Sequence, residues 1–397
     1  MHHNDHSKNK CTGLILSGGG ARAAYQVGVL KAIAEILPAR QRNPFPIICG
    51  TSAGAINAAA LASNAHRFRL AVRGLENVWS QLGAEQVYHT EFFSFLWMLL
   101  RWLIPGIAAG YTPHNSSLLD STPLRNLLTL VMNQRRIKAA IDVGDLKALC
   151  ITASSYGNGE SVSFFQARDE VTPWSRVRRF GRQTIIGVEH LLASSAIPLL
   201  FPAQRIEGSF FGDGALRQLA PLSPAIHLGA EKILVIGVSG NASAKQMPHE
   251  QHYPSMAQVL GHILNSVFVD TLEGDVERME RINHTLSVMT DDERAAHGIH
   301  LRPVEVLKIY PTSPIDEIAA AHLHELPRSL RLFLRGSGGT GFSGAAAMSY
   351  LLFHPGFCQA LIELGYKDGL ARRSQIVAFL SPDSADQSDD ERQMESR

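Results

Sequence analysis

With 397 residues, 45% of them hydrophobic and 18% charged, the chain has globular composition and enough apolar material for a large core. Its 37 Lys and Arg nearly cancel 36 Asp and Glu, and a net charge of +1 gives no global field of the kind that draws a protein onto nucleic acid; an anionic partner has to be met by a local patch. Cys11, Cys49, Cys150 and Cys358 stand far apart with no CxxC or Cys/His metal spacing, which reads as reduced thiols of a cytosolic protein.

Residues 1–10 form a polar leader without an apolar run of signal-peptide length. Residues 12–17 (TGLILS) read as a buried strand, Gly18, Gly19 and Gly20 break it, and 21–37 carry apolar residues at helical spacing. The same unit recurs at once: a strand over 46–49 (PIIC), a turn over 50–54 (GTSAG) and an alanine-rich helix over 55–65. Two such units in tandem predict an α/β fold with a mostly parallel sheet and helices on its faces. Further strands are expected at 146–153, 161–166, 233–238 and 304–310, and helical stretches at 122–131, 184–195, 255–284 and 343–364. No long linker or repeat divides the chain, so 11–370 reads as one domain with helical insertions. The acidic end, 381–397, lacks aromatic residues and reads as a disordered tail.

Gly50-Thr51-Ser52-Ala53-Gly54 is a GxSxG placed at a predicted strand-to-helix turn. A serine on such a turn presents its oxygen above the sheet edge, and the following helix N-terminus favours negative charge developing on a bound oxygen. Gly18-Gly19-Gly20-Ala21-Arg22 opens the first helix with amides free of side-chain obstruction, a nest for an oxyanion or phosphate. Gly18, Gly20 and Ala23 also fit a dinucleotide fingerprint, but that motif wants an acid closing a second strand about 20 residues on, and Glu35 sits inside the predicted helix. Asp213, between Gly212 and Gly214, is the third signal. A serine hydroxyl needs a base; none of the 17 histidines supplies an obvious third member, His190 reads as a core or surface residue, and an aspartate acting directly is the simpler partner.

Together these residues resemble the bacterial patatin-like phospholipases. The family's oxyanion loop matches Gly18 to Arg22, its nucleophile elbow Gly50 to Gly54, its aspartate motif Asp213-Gly214-Ala215, and its A-S-x-x-x-P stretch residues 193–198, in the family's order and over about 12–370. Ala23 departs from the pattern, where many members have glycine. The resemblance implies a three-layer α/β/α fold and a Ser-Asp dyad, with Ser52 as nucleophile and Asp213 as general base. It also implies oxyanion donors at Gly18, Gly19 and Gly20, with Ala53 a further candidate. Arg22 is grouped with that loop: it orients the loop, approaches a substrate phosphate, or holds the helix start in a salt bridge. The implied activity is metal-independent hydrolysis of fatty-acyl esters of phospholipids or lysophospholipids without a cofactor. An acyltransferase or another esterase on the same dyad, and a silent lipid-binding scaffold, are the alternatives.

Two segments bear on the substrate. Residues 92–111 (FFSFLWMLLRWLIPGIAAGY) approach the length of a membrane span, but Arg101 and Pro105 argue against insertion, so an interfacial or lid-like helix and a core helix are expected ahead of a true span. Arg168, Arg176, Arg178, Arg179 and Arg182 cluster around Trp174 as a meeting place for anionic headgroups, or else as a solvated loop. The expectation is a cytoplasmic protein in peripheral contact with a membrane; the glycine cluster at 336–341 lacks a phosphate-loop ending and is given no chemistry.

Overall fold

The computed structural model describes residues 10–39, 42–88, 117, 119–198, 200–239, 256–328, 330–331 and 342–381. Its strands are β1 (Thr12–Leu16), β2 (Ile47–Thr51), β3 (Ala148–Ser155), β4 (Ser161–Ala167), β5 (Trp174–Arg176), β6 (Arg179–Gln183), β7 (Gln204–Ile206), β8 (Ser209–Asp213), β9 (Lys232–Ile236) and β10 (Glu305–Ile309). They form one sheet in the order β10-β9-β1-β2-β3-β4-β6-β5, with β7 and β8 joined to β3 off that path. From β10 to β3 every pairing is parallel, while β4 and β8 both run antiparallel to β3. The mostly parallel α/β expectation is met.

The central strands are buried on both faces, which is why they read in the sequence as continuous apolar runs rather than as alternation. Leu14, Leu16, Ile48, Leu149, Ile151, Leu234 and Ile236 point into the larger core, which holds α1 (Ala24–Ile36), α2 (Ala53–Ala62), α3 (Phe68–Ser80) and the helices of the C-terminal region. Their chain neighbours Ile15, Ile47, Cys49, Cys150, Ile233 and Val235 face a smaller core formed with Leu222, Ala225, Leu272 and Val276. Three layers result.

The predicted helix over 343–364 is two helices, Phe342–Met348 and Pro355–Ala371. Pro355 lacks an amide proton and begins the second; residues 349–354 between them carry Tyr350 and Phe353 to the site described below. The stretch over 255–284 is Met256–Asn265 and Thr271–Ser287 joined by a π-helical turn, Ser266–Asp270. A last helix, Arg373–Leu380, packs Ile376 and Phe379 inward and carries the described fold past 370. Residues 1–9, 92–111, 336–341 and 382–397, which carry the leader, the apolar stretch, the late glycine cluster and nearly all of the tail, lie outside the described residues. No helix among the described residues is long and apolar enough to cross a membrane.

Candidate active site

Pairing of β2 with β3 ends at Thr51 opposite Thr152, where the chain turns up into α2. The lane this vacates beside β3 is taken by β8 from the opposite direction, with Asp213 opposite Ala153, Gly212 opposite Ser154 and Phe211 opposite Ser155. Two strand ends therefore meet head-on in one lane of the sheet, and the residues at the junction are Ser52 and Asp213. Residues 161 apart in sequence are brought together by register alone.

At that junction the Ser52 hydroxyl donates to Asp213 Oδ2 at 2.6 Å. Ser52 has φ 55° and ψ −130°, a left-handed-side conformation that costs a non-glycine residue about 1–3 kcal/mol and needs its surroundings to hold it. The Ser194 hydroxyl provides part of that hold, accepting from the Ser52 amide at 2.9 Å while donating to the Thr152 carbonyl at 2.6 Å. Gly54 is required by packing: a Cβ there would lie 2.2 Å from the Leu16 carbonyl oxygen, so α2 rests directly on the end of β1. Gly50 and Gly214 likewise face backbone at close range, Gly50 against Gly54 and Ala55, and Gly214 against the Thr152 carbonyl.

Asp213 is 1% exposed, and its second oxygen accepts from the Ala215 amide at 2.9 Å. Burial pushes its carboxyl up to about 7, against the pull of the hydrogen bonds from Ser52 and Ala215. Its own amide donates to the Ala196 carbonyl at 2.9 Å. Gln218, just beyond, accepts from the Thr51 hydroxyl at 2.6 Å and donates to that of Thr152 at 3.2 Å, tying the aspartate turn to the two strands beneath it.

The glycine loop lies along the other flank of Ser52. A Cβ on Gly18 would stand 2.9 Å from Ser52 Cβ, and Gly20, at φ +54°, brings its backbone against the Tyr350 carbonyl, which accepts from the Ala21 amide at 3.0 Å. Among the described residues no backbone carbonyl takes up the amides of Gly18, Gly19, Gly20 or Ala53. The loop is held at its entrance by a buried chain. Trp79 Nε1 donates to Asn57, Asn57 Nδ2 to Gln26, and Gln26 Nε2 to the Ser17 carbonyl, at 2.8, 3.0 and 2.8 Å. Sequence reasoning passed over Gln26 and Asn57; the available signal was a lone amide side chain inside each of two apolar helices.

Arg22, grouped above with the oxyanion loop, sends its guanidinium elsewhere. It donates to Ser349 Oγ at 2.7 Å, to the Ala346 carbonyl at 3.0 Å and to Asp316 at 2.5 Å, and it lies 4.1 Å over the Tyr350 ring. The geometry contains both a salt bridge near the helix start and a tie from the glycine loop to residues 346–349. His190 is apart from the dyad as well: its Nδ1 accepts from the Gly187 amide at 2.9 Å, its ring packs edge-on to Phe164 at 4.8 Å, and burial lowers its pKa. Of the arginines around Trp174, Arg176, Arg178, Arg179 and Arg182 sit at the β5–β6 edge of the sheet, whereas Arg168 directly follows β4. Arg168 caps the C-terminus of the Gln134–Val143 helix, Arg182 pairs with Glu207 at 3.1 Å, and Trp174 stacks between Phe165 and His227.

From Ser52 a narrow channel of about 50 Å³ runs between α3 and the Thr122–Val131 helix. Leu75, Val78, Leu124 and Leu127 line its length, Phe201 and Phe353 add aromatic walls, and Ser52 and Gly20 border it. A strained serine on a buried carboxylate, next to unobstructed amides and an apolar channel, is arranged to attack a carbonyl carried on a hydrocarbon chain. No group of three or more His, Cys, Asp or Glu among the described residues is placed to hold a metal ion.

A family model described as patatin-like phospholipase matches residues 14–226. A cGAMP-activated phospholipase of Pseudomonas aeruginosa is 28% identical over 209 residues, 52% of this chain and 53% of that relative. A second, from Vibrio cholerae, is 27% identical over 264 residues, 59% of this chain and 66% of the relative, so the chain spans only part of the length of each. Among solved structures, human GIVD cytosolic phospholipase A2 in complex with methyl gamma-linolenyl fluorophosphonate and terbium chloride is 14% identical at a TM-score of 0.45, covering 96% of this chain and 60% of that one.

Proposed function

Because the chain belongs to the patatin-like phospholipase family, we propose that it hydrolyses fatty-acyl esters of phospholipids or lysophospholipids through an acyl-enzyme on a Ser52–Asp213 dyad. The observation that carries this reading is the 2.6 Å contact between the Ser52 hydroxyl and Asp213 at the head of an apolar channel. In the proposed cycle Asp213 takes the hydroxyl proton as Ser52 Oγ bonds to the ester carbon. The amides of Gly18, Gly19 and Gly20, with that of Ala53, receive the charge on the carbonyl oxygen. The tetrahedral adduct collapses, the alcohol leaves with the proton from Asp213, and water activated by the same carboxylate frees the fatty acid. Arg22 contributes at one remove, by fixing residues 346–350 against the loop.

The channel supports a chain-bearing acyl group as the part recognised, since its lining is almost wholly hydrocarbon. Peripheral contact with a membrane belongs to the same proposal. Tyr156 and Phe210 stand side by side where β3 meets β8, Leu219 lies just past the aspartate turn, and all three are exposed beside the site. Rapid quenching with a long-chain p-nitrophenyl ester tests the intermediate. Mass analysis is expected to find the acyl group on the Ser52 peptide and none in Ser52→Ala; an acyl group on another residue, or turnover surviving in Ser52→Ala, would overturn the reading.

A further inference from the structure

Four residues lining the channel carry a polar side-chain atom: Ser52, Trp79, Ser195 and Tyr350. Three are accounted for. Ser52 donates to Asp213, Trp79 Nε1 to Asn57, and the Tyr350 hydroxyl to Asn265 at 2.7 Å. The fourth, Ser195 Oγ, is buried and has no hydrogen-bond partner among the described residues, on a residue only 8% exposed. A buried hydroxyl left unpaired is costly, and such a group asks for an explanation. A serine at a helix end ordinarily relieves the problem by bonding back to the carbonyl four residues earlier. Here the Leu191 carbonyl accepts the Ser195 amide at 3.0 Å but not the hydroxyl, unlike Ser63, whose amide and hydroxyl both bond the Ala59 carbonyl, and Ser195 Oγ is left over beside the channel.

Its neighbours specify where it stands. Ser194, one residue before, holds the Ser52 amide, and Ala196, one residue after, holds the Asp213 amide. Ser195 therefore lies on the segment that joins nucleophile to base, on the β3 side of Ser52, whereas the glycine loop follows β1 and lies on the other side. An ester seated with its carbonyl oxygen toward the glycine loop turns its bridging oxygen toward Asp213 and Ser195.

We propose that Ser195 is a catalytic residue whose hydroxyl donates a hydrogen bond to the bridging ester oxygen, strengthening as that oxygen leaves. The inference rests on the hydrolase reading above. As the adduct collapses, the bond from the acyl carbon to the bridging oxygen breaks with its electron pair going to that oxygen. The proton that Asp213 took from Ser52 is delivered there, and Ser195 keeps its own proton throughout. The unpaired hydroxyl of the free enzyme is then the donor held ready for this step.

The test compares wild type, Ser195→Ala and Ser52→Ala on two esters of one fatty acid, a lysophosphatidylcholine and a p-nitrophenyl ester, with melting temperatures measured alongside. The alkoxide leaving group needs the donor and p-nitrophenolate hardly does. Ser195→Ala is expected to lose about 10- to 100-fold in kcat on the lysophospholipid, as for a hydrogen bond to a charged oxygen, with little change on the p-nitrophenyl ester. Its melting temperature is expected to equal or exceed wild type, because an unpaired group has been removed. Equal losses on both esters, or a lowered melting temperature, would make the hydroxyl structural and overturn the proposal. Unchanged rates in Ser195→Ala, beside wild-type turnover that Ser52→Ala abolishes, would overturn this inference alone. Failure of the wild type on both esters would overturn it together with the hydrolase reading.

Discussion

Replacing Asp213 by asparagine separates the two things the buried carboxylate does, because it is expected to remove activity and add stability. Burial pushes the carboxyl from 3.8 up to about 7, outweighing the hydrogen bonds from Ser52 and Ala215. Below pH 4 the group is protonated whether the chain is folded or not. Between about 4 and 7 the unfolded chain releases this proton and the folded chain retains it, so folding stability falls as pH rises through that window, and the loss is complete above the folded pKa. Three units at about 1.4 kcal/mol each make the penalty at pH 8 about 4 kcal/mol. Asparagine keeps the local bonds: its Oδ1 accepts from the Ala215 amide, and its amide donates to Ser52 Oγ with the hydroxyl turned. Urea unfolding of wild type and Asp213→Asn from pH 4 to pH 8 should show a gain for the variant of up to about 4 kcal/mol at pH 8 that shrinks toward zero at pH 4. The wild-type kcat/KM should rise with pH to half its plateau near 7, as the base form appears. A variant less stable than wild type at pH 8, or a stability difference flat across the range, would refute the assignment of the penalty to Asp213.

Other perturbations probe the surroundings of the dyad. Gly54→Ala puts a Cβ 2.2 Å from the Leu16 carbonyl oxygen, backbone against backbone, and should cost about 2–3 kcal/mol or more in thermal unfolding. Asp316→Asn removes the charge partner of a guanidinium that is 2% exposed; because the Asp316 side chain is 27% exposed, the expected loss is about 1–3 kcal/mol, with a lowered kcat as residues 346–350 loosen against the glycine loop. Leu124→Trp should fill the channel. It should cut kcat/KM for long-chain esters by about tenfold or more while sparing short-chain ones, and an unchanged chain-length profile would place the acyl group elsewhere.

The strand-glycine-helix units were legible because each is local: an apolar run, a turn without side chains and a helical period lie within about 25 residues. Thr12–Leu16, Ile47–Thr51 and Ser161–Ala167 came out within two residues of the expected bounds, and the helix Thr122–Val131 at its expected bounds. α3 was passed over, although Phe68, Ala71, Val72, Leu75 and Trp79 mark its buried face at helical spacing. β5 to β8 were missed for a different reason. Each is three to five residues long; β5 with β6 and β7 with β8 form tight hairpins too short to show an alternating pattern, and only β6 and β8 are tied further, to β4 and β3. The meeting of β2 and β8 in one lane is likewise a fact of sheet register; motifs name Ser52 and Asp213, but only the register of β3 explains why they touch. Asp316 and Ser349 are beyond local reading too, lying about 300 residues from Arg22, the side chain they hold.

The central claim is tested most directly by fatty-acid release from mixed phospholipid vesicles, measured for wild type, Ser52→Ala and Asp213→Asn, with the folded state of each variant verified by its unfolding curve. The account predicts release by the wild type and none above background by either variant, with Asp213→Asn at least as stable as wild type at pH 8. Release that persists in either folded variant would contradict a Ser52–Asp213 dyad, and a wild type that releases no fatty acid would contradict phospholipid hydrolysis itself.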